Sequence, residues 1–131
     1  MPIFQCVDKH GNLQDFEYKV TQNGNKVTFL VTNIPPLPTG DFFQLTVEHI
    51  NAALVRIVML NHHHVPAYSA KGIPDALLPI ASQVLGKTVQ SSPTSGAGAV
   101  YRTDDATIMW KRLEAKGMAT YDPQTDIYTL I

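Results

Sequence analysis

The stretch Tyr68-Ser69-Ala70-Lys71-Gly72-Ile73-Pro74 decides how this sequence folds, because it joins a strand-like run to an amphipathic helix. Before it, residues 54–64 predict a strand, and the apolar residues on both of its alternating faces predict a central strand covered on both sides. After it, Ile73 to about Leu85 carries apolar residues at helical spacing, with Gly86 as a C-terminal cap. A glycine-containing turn that opens a helix gathers free main-chain N–H groups at the positive end of the helix dipole, which suits a pyrophosphate.

Length and composition define a small globular protein. Its 131 residues predict one domain, residues 1–131, and 44% hydrophobic residues are enough for a single core. Ten basic and eleven acidic residues give a net charge of −1, which argues against a broad surface for nucleic acid or anionic membrane. Cys6 has no second cysteine to pair with, and no apolar stretch approaches the ~20 residues of a membrane helix. We therefore expect a cytoplasmic protein with neither a nucleic-acid nor a membrane partner.

The residues before the turn favour an antiparallel β-meander. Five strands are predicted, at about residues 3–7, 13–20, 26–32, 42–50 and 54–64. Asn23-Gly24 predicts a tight type I′ turn between the second and third strands. The proline-rich segment 35–40 predicts a stiff loop after the third strand, because proline lacks the N–H that a sheet requires.

The residues after the first helix predict one more strand, a second helix and a hairpin. The expected bounds are 87–91 for the strand, 103–116 for the helix, which Gly117 ends, and 118–121 with 127–131 for the hairpin. The Gly-rich segment 92–100 predicts a loop. The predicted class is α+β: a mixed, mostly antiparallel sheet whose central strand is covered by two main helices, with a C-terminal hairpin.

The segment from Val65 to Leu78 resembles the acetyl-CoA motif of the GNAT superfamily of N-acetyltransferases. In that motif a strand ending near a Val leads through Arg/Gln-x-x-Gly-x-Gly/Ala into a helix. The family continues with a strand, a second helix that ends in Gly plus an apolar residue, here Gly117-Met118, and a final hairpin. The resemblance covers about Leu54 to Ile131. The family's first strand and paired N-terminal helices are not evident, so the resemblance implies a reduced GNAT-like fold.

The resemblance also implies an activity, the transfer of an acetyl group from acetyl-CoA to an amine that the sequence does not identify. It leaves a homodimer open. The residues it assigns to the cofactor are Val65, Ser69, Ala70, Lys71, Gly72 and Ile73.

Three consecutive histidines, residues 62–64, end the predicted central strand. Alternation places His62 and His64 on one face. An imidazole, with a pKa of about 6.5 when unperturbed, suits the removal of a proton from an attacking amine, so His62 and His64 are the candidate catalytic residues. A structural or exposed role is the alternative. A metal site is not predicted, because neither cysteines nor a second histidine cluster supply the remaining ligands.

Several positions depart from the family pattern and favour a second hypothesis. Ser69 replaces the Arg or Gln, Pro74 removes an N–H, and Asp75 adds a negative charge beside the proposed phosphate. Leu113 stands where many of the family's enzymes carry a tyrosine that protonates the departing thiolate. These departures favour a non-catalytic GNAT-fold module that binds CoA or a protein partner.

A third hypothesis arises from residues 106–130, which also resemble the end of a winged-helix DNA-binding domain. Lys111, Arg112 and Lys116 would then meet phosphates. The five preceding strands and the near-neutral net charge argue against it.

Overall fold

The computed structural model describes residues 2–8, 10–61, 68, 71–93, 102 and 104–131. In this part of the chain the class is α+β, as predicted. The elements, in order, are β1 Ile3–Val7, β2 Leu13–Asn23, β3 Lys26–Asn33, β4 Phe43–Asn51, β5 Leu54–Asn61, α1 Ile73–Leu85, β6 Thr88–Gln90, α2 Asp104–Ala115, β7 Ala119–Asp122 and β8 Ile127–Leu130.

The described strands form one sheet in the order β1-β2-β3-β4-β5-β6-β8-β7. The first five pair antiparallel with their neighbours along the chain, because each is joined to the next by a turn or short loop. The β5–β6 pair is parallel, since α1 carries the chain from the end of β5 back to the start of β6. The last hairpin joins the sheet through its second strand, β8.

The turn between β2 and β3 differs from the prediction. Asn23 pairs with Lys26 in the ladder, so the two turn residues are Gly24 and Asn25 rather than Asn23 and Gly24. Only Gly24 of these two has a positive φ, which is typical of a type II′ turn. The predicted type I′ turn was wrong because β2 extends three residues beyond its predicted end.

The core lies on one face of the sheet. Cross-strand partners Val27 with Val47 and Phe29 with Leu45 share that face and are almost fully buried. On β5, Val55 lies on the same face and is fully buried, whereas Met59 on the other face is 44% exposed. The prediction that β5 is covered on both sides was therefore wrong, because the buried faces of both helices join the core on a single side of the sheet.

The sheet is both bulged and curled. A β-bulge inserts Val58 into β5, opposite the step between Thr46 and Val47 of β4. In addition, α1 contacts both β1 and β6, although four strands lie between them, so the sheet curls around this helix. No helix in the described ranges has the length and apolar character needed to cross a membrane.

Candidate functional site

The first turn of α1 lies against the end of β1. Gly72 is the residue before the helix and has φ 77° and ψ 16°, a left-handed conformation that glycine adopts without strain. A Cβ atom at this position would overlap the main-chain oxygen of Val7. Gly72 is thus required by backbone conformation and by close packing on β1, two reasons that do not depend on a ligand.

The start of α1 leaves main-chain donors at its positive end. The amides of Ile73 and Asp75 lie in the first turn, where the helix itself supplies no acceptor. Pro74 has no N–H, while Ala76 donates to the carbonyl oxygen of Gly72 at 3.2 Å. Within the described residues, the amides of Ile73 and Asp75 make no hydrogen bond, and they lie beside the partly exposed Gly72.

Asp75, in this first turn, joins α1 to the last turn of α2. Its carboxylate accepts two hydrogen bonds from Arg112, at 2.6 Å from Nη2 and 3.0 Å from Nε, and one from Lys116 Nζ at 3.0 Å. Burial raises the pKa of the Asp75 carboxyl, but the two cations outweigh it and hold the pKa below its ordinary value. The same contact raises the pKa of Arg112. The negative charge that the sequence placed near the proposed phosphate is therefore neutralised within the protein.

β5 and β6 pair only near the start of β5, so the carboxyl end of β5 extends beyond the paired stretch. The two strands pair over three positions, from Leu54 with Thr88 to Arg56 with Gln90. Beyond them, β6 gives way to Ser92, whose hydroxyl donates to the Ile57 carbonyl oxygen at 2.7 Å, while β5 continues to Asn61. The carboxyl ends of parallel strands in an open sheet are where ligands commonly bind.

The predicted site residues are only partly covered by the described residues. Lys71, Gly72 and Ile73 lie at the start of α1, beside Asp75, and their role in cofactor binding remains a prediction. The predicted catalytic pair His62 and His64, and the predicted cofactor residues Val65, Ser69 and Ala70, lie outside the described residues, and their roles remain predictions.

The position of the expected acid holds a fully buried leucine, Leu113, which packs in the core.

The hydroxyl groups of two tyrosines, Tyr68 and Tyr121, are hydrogen-bonded within the protein. Tyr68 donates to the Asp41 carbonyl oxygen at 2.8 Å and accepts the Asn33 N–H at 3.2 Å. Tyr121 donates to Asp126 Oδ1 at 2.8 Å, in the terminal hairpin. These contacts lie within the fold, so we interpret these two hydroxyl groups as structural.

Cys6 is a poor nucleophile. Burial raises the pKa of its thiol to about 12, with smaller contributions from the negative charges of Asp75 and Asp15. Among the residues that the structure describes, no group of three or more His, Cys, Asp or Glu side chains is arranged to hold a metal ion.

Arg102 is a feature that the sequence did not reveal. Its side chain is 4% exposed, and its donors reach Thr107 Oγ1 at 2.7 Å, Ser91 Oγ at 3.3 Å and the Ser92 oxygen at 3.2 Å. It also binds the main-chain oxygen of Asp126 at 3.0 Å and Oδ1 of Asp126 at 2.8 Å. All three guanidinium nitrogens are thus engaged, and Arg102 ties the terminal hairpin to the segment after β6.

The contact of Asp75 with Arg112 and Lys116 was also missed. Arg112 lies in the last turn of α2 and Lys116 directly follows the helix, four residues later, a spacing that predicts a shared face. Their acceptor lies 37 and 41 residues away, however, in a separate helix, and no sequence pattern indicates that distance.

Comparison with known proteins identifies no relative: no family model, no curated protein and no solved structure matches this chain. The site is therefore interpreted from its own geometry and from the motif at Gly72.

Proposed function

We propose that this protein is a GNAT-like N-acyltransferase, which binds acetyl-CoA at the N-terminal end of α1 and transfers the acetyl group to an amine. One observation carries the proposal. In the described part of the chain, β5–β6 is the one parallel pair of an otherwise antiparallel sheet, and the helix in its connection begins after a positive-φ glycine. The Ile73 and Asp75 amides at that helix end make no hydrogen bond within the described residues. This is the arrangement of main-chain donors that a pyrophosphate requires.

The order of the elements supports the same proposal. After α1 come β6, α2, Gly117-Met118 and the β7–β8 hairpin, in the sequence expected of the family. Gly117 has φ 75°, and the Met118 amide donates to the Leu113 carbonyl oxygen at 2.9 Å, so this pair ends α2 as a helix cap.

The charge at the helix end also suits a diphosphate. Asp75 is paired with two cations, and together the three side chains carry a net charge of +1. Lys71 adds a further positive charge one residue before Gly72. Pro74 withdraws one amide, but those of Ile73 and Asp75 are retained.

The proposed reaction is direct attack of the amine nitrogen on the thioester carbonyl carbon. A C–N bond forms, the C–S bond breaks, and CoA leaves as the thiolate. His62 and His64 are proposed to accept the proton that the amine loses. We assign the reaction to the cytoplasm, since Cys6 is a buried free thiol.

A second candidate function is binding without catalysis of acetyl transfer. Two observations favour it: Leu113 fills the expected position of the acid with a buried apolar side chain, and Pro74 reduces the number of amides. In this version the domain is a non-catalytic module that binds CoA or a protein partner.

One titration and one assay separate these functions. Addition of acetyl-CoA to isotopically labelled protein is expected to give saturable amide shifts at Lys71, Gly72 and Ile73, with none at the distant turn residue Gly24. Release of free CoA with an amine acceptor, lost in His62→Gln or His64→Gln, would support the enzyme. Binding without release would support the module. An unchanged spectrum at millimolar acetyl-CoA would exclude both acyl-CoA functions.

A further inference from the structure

The Arg112 and Lys116 side chains retain hydrogen-bonding capacity after they have bound Asp75. Arg112 uses Nε and one Nη2 hydrogen, and Lys116 uses one of its three ammonium hydrogens. Within the described residues their remaining N–H groups make no hydrogen bond. The two side chains are 45% and 52% exposed, so these donors are open to solvent.

Asp75 holds the two cations in a defined place. The Asp75 side chain is 15% exposed, and its two carboxylate oxygens accept hydrogen bonds from the planar guanidinium of Arg112. Long cationic side chains normally lose considerable rotamer freedom when they bind a ligand. Here much of that freedom is already lost in the folded protein, which favours binding of an anion.

The charges around the pair favour an anion over a cation. The cluster of Asp75, Arg112 and Lys116 has a net charge of +1, and it adjoins the positive end of α1. The nearest acid along α2 is Glu114, whose charge also acts on Tyr128 in the terminal hairpin. Arginine forms paired hydrogen bonds with phosphate, and lysine adds a mobile point charge.

We propose that Arg112 and Lys116 bind the phosphate groups in the nucleotide half of the acyl-CoA ligand, while Asp75 keeps them in position. This inference rests on the proposed function, since it assigns residues of α2 to the ligand whose pyrophosphate lies at the start of α1. It also names the chemical feature that the ligand must carry, a phosphorylated nucleotide rather than a bare acyl thioester.

Calorimetric titration with acetyl-CoA tests the assignment. The variants are Arg112→Gln and Lys116→Gln, and the matched control is Lys111→Gln, which removes the same charge from an exposed position of α2. Each of the first two is expected to weaken binding about tenfold, because a charge-assisted hydrogen bond to phosphate is lost. The control should change affinity less than about twofold, since exposed charges are screened by salt.

Two further ligands identify the phosphate. Loss of affinity for acetyl-CoA but not for its analogue without the 3′-phosphate would assign the pair to that phosphate, and an equal loss for both would assign it to the pyrophosphate. Acetyl-pantetheine, which has no nucleotide, should bind all variants alike. Equal acetyl-CoA affinity in wild type, Arg112→Gln and Lys116→Gln would overturn the inference and leave the proposed function intact.

Titration with inorganic pyrophosphate tests whether Arg112 and Lys116 bind phosphate even if the protein does not bind acetyl-CoA. In the wild type it is expected to shift the Arg112 Nε–H resonance, and this shift should weaken in Lys116→Gln. If this occurs while acetyl-CoA fails to bind, the proposed function is wrong and the phosphate-binding pair remains. If neither ligand binds, both proposals are overturned.

Discussion

Two arginine–aspartate pairs in this protein have similar distances and different surroundings. Arg102 lies 2.8 Å from Asp126, and Arg112 lies 2.6 Å from Asp75. Arg102 is 4% exposed with all three nitrogens bonded, whereas Arg112 is 45% exposed with Nη1 unbonded in the described residues. The Arg102–Asp126 pair therefore stabilises the fold, whereas Arg112 in the other pair retains donors that are not hydrogen-bonded within the described residues.

Hydration explains the difference. Arg102 lies 4.9 Å from the centre of the Tyr128 ring, among Ser91, Ser92 and the terminal hairpin, where water cannot solvate its charge. A buried cation requires a complete set of protein partners. Arg112 is still solvated, so an incomplete set is tolerated, and a ligand can supply the rest.

The largest expected effect comes from Asp126→Asn, which breaks the buried pair. Asparagine keeps the shape and tolerates the φ of 57° at this position, but Arg102 would remain buried without its counter-charge. We expect the free energy of unfolding to fall by about 3 kcal/mol in urea denaturation.

Asp122→Asn, in the same hairpin, is the control, because within the described residues its Oδ1 accepts one hydrogen bond, from the Gln124 amide, which asparagine also satisfies. A loss below about 1 kcal/mol in Asp126→Asn would contradict the structural role of Arg102.

The next largest effect is expected for Gly72→Ala, which tests whether α1 holds Asp75 in a fixed place. The left-handed φ alone costs about 1–2 kcal/mol for alanine, and the overlap with the Val7 oxygen adds to it. We expect a total above about 2 kcal/mol by thermal or urea unfolding.

Gly40→Ala isolates the contribution of the contact. Gly40 has the same φ of 77°, but a Cβ there would meet no atom within 4 Å. Equal losses in the two variants would mean that β1 does not constrain the first turn of α1.

Asp75→Asn makes the same aspartate-to-asparagine change in the exposed pair of Asp75 and Arg112. It removes the charge that two half-exposed cations share, and we expect a loss of only about 1 kcal/mol, since water replaces the lost partner. Urea denaturation of this variant beside Asp126→Asn measures the contrast directly. Similar losses in both would show that exposure does not distinguish the two pairs.

The smallest effect is the pH dependence of the exposed pair. The pKa of Asp75 is lowered from 3.8 in the folded protein, so its contribution to stability is present above about pH 4. It is lost as the pH falls through the lowered value. Unfolding at pH 7 and pH 3 should therefore show a smaller stability difference between wild type and Asp75→Asn at the lower pH. A constant difference would argue that the carboxylate is not held by charge.

Much of the sheet could be predicted from local patterns. Alternating apolar residues such as Val27, Phe29 and Val31 define a strand with one buried face, and short turns impose antiparallel pairing with the next strand. The helical spacing after Gly72 and the cap at Gly86 likewise located α1. These signals are encoded within a few residues.

Features that depend on distant contacts could not be predicted. The apolar faces of β5 suggested cover on both sides, but which side the helices occupy depends on the curl of the whole sheet. From the sequence, Gly72 was interpreted as part of a ligand-binding turn. Its contact with Val7 could not be predicted, because the two residues are far apart in sequence. The partner of Asp75 was hidden for the same reason.

The packing of Val7 against Gly72 has a consequence for synthesis on the ribosome. The first five strands pair in the order in which they are made, so each hairpin can close soon after its second strand emerges. The apolar side of this nascent meander remains without α1 until translation has passed Leu85, a delay of a few seconds at roughly 5–20 residues per second. Among the described strands β1 pairs with β2 alone, so the arrival of the helix is the event that fixes β1 in place.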